Sequence, residues 1–104
     1  MTLPVRPGSF AQEEIERYVR DYERESTGLG DRLWHDIQTG VSLISEYPEI
    51  GDIVRRTGGS VRRFPLKHFP FFLIYRRWQD HLQIVALAHT RRKPNYWRSR
   101  LKYD

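Results

Sequence analysis

The 104-residue chain contains no cysteine. Disulfides and thiolate metal sites are therefore excluded, and the expected setting is a reducing cytoplasm. Long apolar runs are missing too. The longest, Phe69 to Tyr75, is interrupted by Pro70 and falls far below the ~20 residues a spanning helix needs. Met1 to Gly8 has no apolar stretch of the kind a secretory signal carries. The histidines His35, His68, His81 and His89 show no metal-ligand spacing; the last two, on one extended strand, would lie about 26 Å apart. No glycine-rich phosphate loop or nucleophile elbow is present. No cofactor and no metal are expected. Acid is nearly absent from the second half. Residues 61–104 carry 11 Lys/Arg against Asp80 and Asp104 alone, a net +9, while residues 1–60 carry 7 Lys/Arg against 11 Asp/Glu, a net −4. Such asymmetry points to a polyanionic partner for the second half, either nucleic acid or an acidic protein.

Aromatic residues, by contrast, are plentiful: 5 Phe, 6 Tyr and 3 Trp. They suffice for the single core of a domain this size, which buries roughly two-thirds of its unfolded surface. One domain over residues 1–104 is expected. Leu3 to Arg6 reads as a short edge strand, because Pro4 bars a central position. Ser9 reads as a helix N-cap with Gln12 completing a capping box. Ala11, Ile15, Tyr18, Val19 and Tyr22 then form an apolar face. The opposite face, including Glu13, Glu14, Glu16, Arg17, Arg20 and Asp21, reads as a solvated charge ladder. Gly28-Leu29-Gly30 ends this helix and Asp31 caps a second, with Leu33, Trp34, Ile37, Val41, Ile44 and Tyr47 as its buried stripe and Pro48 as its stop. Gly40 inside it permits close packing.

Residues 48–60 read as a loop. Strands are expected at Val61 to Leu66, Phe71 to Trp78 and His81 to His89, with Gln79-Asp80 as a tight turn. Alternation puts Leu82, Ile84, Ala86 and Ala88 on one face of the last strand, and Gln83, Val85, Leu87 and His89 on the other. Both faces are apolar in the middle, so this is a two-sided antiparallel sheet. A helical hairpin covers one face, and the basic, aromatic tail from residue 90 returns across the other.

Val61-Arg62-Arg63-Phe64-Pro65-Leu66, Phe69-Pro70-Phe71-Phe72-Leu73-Ile74-Tyr75, Ile84-Val85-Ala86-Leu87-Ala88-His89 and Arg91-Arg92-Lys93-Pro94-Asn95-Tyr96-Trp97…Arg100 follow one another in that order. In this the chain resembles the ParE-like branch of the RelE/ParE superfamily, often labelled plasmid stabilisation proteins, over about residues 9–100. The resemblance implies an α+β fold: an N-terminal strand, an antiparallel helical hairpin and a three-stranded antiparallel sheet with a basic tail. It also implies the toxin of a bacterial type II toxin–antitoxin pair, neutralised by a small cognate antitoxin, here an acidic one. ParE-type members bind DNA gyrase; RelE-type members cut mRNA on the ribosome.

RNA cleavage would need a base, an acid and cations around the phosphate. His89, Arg91 and Tyr96 are the catalytic candidates in that case. Arg62, Arg63, Arg91, Arg92, Lys93, Arg98 and Arg100 are the candidates for binding nucleic acid or the target, since guanidinium forks match phosphate oxygens. The second half has no glutamate, and Lys67 and Lys93 do not form a lysine cluster. The sequence thus departs from both nuclease patterns of the superfamily and favours the non-catalytic, gyrase-binding reading. A ribosome-dependent mRNA endonuclease and a non-toxic nucleic-acid-binding domain are the alternatives.

Overall fold

The computed structural model describes residues 2–102; Met1, Tyr103 and Asp104 lie outside them. In chain order the elements are β1 (Val5–Pro7), α1 (Ser9–Glu25), α2 (Leu29–Glu46), β2 (Asp52–Ile53), β3 (Val61–Pro65), β4 (Phe71–Trp78), β5 (His81–His89) and a 3₁₀ turn at Arg98–Lys102. The sheet has five strands in the order β1-β5-β4-β3-β2, not three. One added strand is β1, which pairs in parallel with the start of β5, Val5 facing Leu82. The other, β2, lies within the segment read as a loop, and its two residues face Arg63 and Arg62. A two-residue strand shows no periodicity, so sequence alternation cannot reveal it.

β4 and β5 form the centre of the sheet, and their observed limits coincide with the alternating apolar runs. The two-residue turn between them holds Gln79 at φ 57°, a conformation that usually favours glycine. The face assignment of β5 is corrected by an irregularity. Ile74 faces Ala86 and Tyr75 faces Ile84, so Val85 has no opposite number. This bulge inverts the side-chain alternation beyond it. Leu82, Ile84 and Leu87 therefore pack beneath the helices with Phe71, Leu73 and Tyr75. Val85, Ala86 and Ala88 pack on the other side with Val61, Ile74 and Trp97. The sheet is buried on both faces, as its two-sided composition requires.

The helical hairpin covers the first face. Ala11, Ile15, Leu33, Ile37 and Ile44 enter that core, with Tyr18, Val19 and Tyr22 packed against it. Tyr18 and Tyr22 meet the Phe71 ring edge-on, a geometry aromatic pairs favour. A Cβ on Gly40 would lie 2.9 Å from the Leu73 side chain and 3.2 Å from Leu66, which accounts for glycine inside α2. The expected caps differ. Gly8, with no side-chain hydrogen bond, precedes α1, and Gln12 donates to Glu16 rather than closing a capping box. α2 begins at Leu29 behind Gly28 at φ 88°, and the Glu23 carboxylate accepts from the backbone N–H groups of Gly28 and Gly30. Trp34 and Tyr47, expected in the buried stripe, are 44% and 55% exposed.

Below the hairpin, the Tyr75 hydroxyl donates to the Pro48 carbonyl and accepts from the Gly51 N–H. Burial pushes this phenol's pKa up. A Cβ at Gly51 would fall 2.8 Å from both the Arg63 carbonyl and the Tyr75 hydroxyl. Backbone cannot yield there as a flexible side chain can. Gly51→Ala is accordingly predicted to lower stability by about 1–3 kcal/mol in urea denaturation, the usual range for overpacking. An unchanged midpoint would show that this contact is not tight.

Candidate functional site

Beyond β1, no strand among the described residues lies beside the outer edge of β5. Side chains complete it instead. The Leu87 N–H donates to the Glu14 carboxylate, and the Val85 carbonyl accepts from Arg100. Glu14 comes from α1 and is only 4% exposed. Its two oxygens also receive both terminal nitrogens of Arg100 at 2.7 and 2.8 Å, the Tyr96 hydroxyl at 2.6 Å and Arg92 at 3.4 Å. The Arg100 guanidinium is thus held by a two-pronged carboxylate contact and lies 5.0 Å from the Tyr96 ring centre. Glu14 was expected on a solvated face, and here that reading is corrected. Its position betrays it: 11, 14, 15 and 18 fall on one side of a helix, the side that carries Ala11, Ile15 and Tyr18.

This arrangement shifts the groups it joins. Burial pushes the Tyr96 phenol far above its usual range, and the Glu14 carboxylate pushes it further. Burial works against the charge on Arg100, but hydrogen bonds and charge from Glu14 outweigh it, and its pKa rises. Neither group is set to exchange protons near neutral pH.

Glu14 draws the tail across the second face of the sheet. Trp97 is 3% exposed within the second core cluster, and Tyr96 and Leu101 pack beside it. Arg98 donates to the carbonyls of Arg55 and Arg56, fixing the tail to the β2–β3 loop. A cleft of about 130 Å³ remains between tail and sheet. Val54, Phe72, Ile74 and Ala88 supply its apolar lining, and Arg63, His89, Arg92 and Lys93 its basic groups.

The candidate residues divide accordingly. Arg63, His89, Arg92, Lys93 and Tyr96 come together at the cleft. Arg62 does not: it points to the Tyr75 side and donates to the carbonyls of Glu49 and Gly51. Arg98 and Arg100 serve as tail anchors. Arg91 and Lys93 are exposed. The His89 ring packs edge-on against Phe71 at 5.2 Å, and its Nδ1 accepts from the Arg91 N–H. An accepting Nδ1 places a neutral ring's proton on Nε2. Among the described residues no group of three or more His, Cys, Asp or Glu could hold a metal ion.

A two-helix hairpin on one side of a mixed sheet is a fold also found among solved structures. A solved chain described as "Chromosomal ParDE TA system from P. aeruginosa" superposes with a TM-score of 0.69 at 17% identity, covering 85% of this chain and 96% of that one. The family profile described as "ParE toxin of type II toxin-antitoxin system, parDE" matches residues 9–94, and the chain belongs to that family. No curated protein gave a significant match. Among the described residues no helix is long and apolar enough to cross a membrane.

Removing one partner from a buried ion pair strands the other, at a cost of about 3–5 kcal/mol. Glu14→Ala is predicted to destabilise the protein by about that amount and to open the tail to protease, while the exposed neighbour Glu13→Ala stays within about 0.5 kcal/mol. Urea denaturation and limited proteolysis check both. Equal effects of the two substitutions would contradict the role given to Glu14.

Proposed function

We propose that this chain inhibits growth by binding DNA gyrase, acting as a binding protein and not as an enzyme, and that a cognate acidic antitoxin neutralises it. Its place of action on this reading is the bacterial cytoplasm. The observation that carries the reading is the engagement of Tyr96 and Arg100 by the buried Glu14. A nuclease would need such groups free to reach the scissile phosphate and its leaving oxygen. Here the tyrosine hydroxyl is committed to a carboxylate, its proton held more tightly than usual. Family membership supports the toxin class. The exposed cations Arg91, Arg92 and Lys93 give the tail a surface that attracts acidic protein, and such attraction speeds encounter.

A second reading draws support from one observation. Arg63, His89, Arg92 and Lys93 share a cleft, so a ribosome-dependent endonuclease would have its cations and a histidine in one place. Purified chain added to a gyrase supercoiling reaction distinguishes the two. The gyrase reading predicts loss of supercoiling with accumulation of cleaved DNA, reversed by antitoxin and unaffected by His89→Ala. Normal gyrase activity, with mRNA cleavage in expressing cells that His89→Ala, Arg91→Ala or Tyr96→Phe abolishes, would overturn it.

A further inference from the structure

A second basic cleft lies on the other side of the molecule from the tail, where α2 meets the β3–β4 turn. It is open, about 570 Å³, and is lined by Leu29, Arg32, His35, Asp36, Thr39, Lys67, His68 and Phe69. Positions 32, 35, 36 and 39 fall on one side of α2. The turn is fixed against them by Asp36, which is 6% exposed. Its carboxylate accepts from the backbone N–H groups of His68 and Phe69 and from the His68 ring at Nδ1. Three donors converge on one buried acid, so the turn that presents Lys67 and His68 is built, not loose. Across the cleft, His35 donates from Nδ1 to the Asp31 carbonyl. Each imidazole is thus held by one nitrogen, leaving the other without a partner among the described residues. Arg32 and Lys67 are exposed, and neither forms an ion pair among the described residues.

We infer that this cleft binds the phosphate backbone of duplex DNA through Arg32, Lys67, His35 and His68. Asp36 keeps its charge but is buried and turned to its three donors, while Arg32 and Lys67 stand exposed at the rim. Asp31 is the nearest remaining carboxylate in sequence, at the start of α2. The cleft's openness suits a backbone running across the surface, not an enclosed small molecule. The Phe69 ring is half-buried and meets Tyr22 edge-on at 5.3 Å, so no aromatic face is offered for stacking an unpaired base. Cationic and polar groups without a stacking platform position a backbone and read no sequence. This inference concerns the isolated chain and stands apart from the gyrase reading.

The test is fluorescence anisotropy with a short labelled duplex at two salt concentrations. Arg32→Ala/Lys67→Ala is predicted to weaken binding about tenfold at low salt and to reduce the salt dependence by about two released ions. The charge-matched pair Arg20→Ala/Arg24→Ala, on the exposed side of α1, is predicted to change affinity little. Both pairs alter exposed side chains, and unchanged melting temperatures verify folding. Equal weakening by the two pairs would reduce the effect to net charge and overturn the inference. So would an absence of duplex binding, or a cleft that captures acidic antitoxin peptide while the duplex does not compete.

Discussion

The Glu14 carboxylate, buried between α1 and the tail, meets the Arg100 guanidinium through both oxygens at 2.7 and 2.8 Å. The same carboxylate takes the Tyr96 hydroxyl and the Leu87 N–H. A buried charge persists only when paired and fully hydrogen-bonded, and here the acid and its partners come from three separate parts of the chain, α1, β5 and the tail. The contact also answers a topological need. β1 covers only Leu82 to Ile84 of β5, and the strand's remaining edge would otherwise expose unpaired backbone groups. Glu14 and Arg100 replace the missing strand.

With the tail secured, the rest of the second face follows. Trp97 closes the second core cluster, and Arg98 ties the tail to the β2–β3 loop through the carbonyls of Arg55 and Arg56. The cations of the tail are then sorted by use. Arg98 and Arg100 hold structure, Arg92 reaches Glu14 from the rim, and Arg91 and Lys93 stay outside. The first face is organised around a second buried acid. Asp36 gathers the β3–β4 turn in the way Glu14 gathers the tail, and in both places basic side chains are displayed around an acid whose own bonding is complete. Of the cations in residues 61–104, Arg63, Arg92 and Lys93 line the tail cleft and Lys67 lines the cleft beside α2.

The two long strands were legible because Phe71–Trp78 and His81–His89 alternate cleanly and are bounded by turn residues. The helical hairpin was legible from its 3.6-residue stripe. The bulge at Val85 was not, because an extra residue leaves no mark in an apolar run, yet it decides which side of the sheet Leu87 and His89 occupy. β2 was too short to see. Glu14 was missed because charge was read as solvent exposure, and Asp36 was not singled out at all. Each lies on its helix's apolar side, Glu14 between Ala11 and Ile15 and Asp36 beside Leu33 and Ile37, and that placement was the available signal. At the candidate site, the convergence of Arg63 with His89 was visible from strand order, whereas the diversion of Arg62 to two backbone carbonyls depended on a loop whose path the sequence does not encode locally.

A double-mutant cycle on Glu14→Ala and Arg100→Ala, followed by urea denaturation, bears most directly on the claim that one carboxylate fixes the tail. If the pair is the lock, the two losses overlap, and the coupling energy exceeds about 1.5 kcal/mol, within the range for contacting charged groups. If the losses instead add to within about 0.5 kcal/mol, as independent sites do, the tail is held by Trp97 packing and the Arg98 contacts, and the ion pair is incidental.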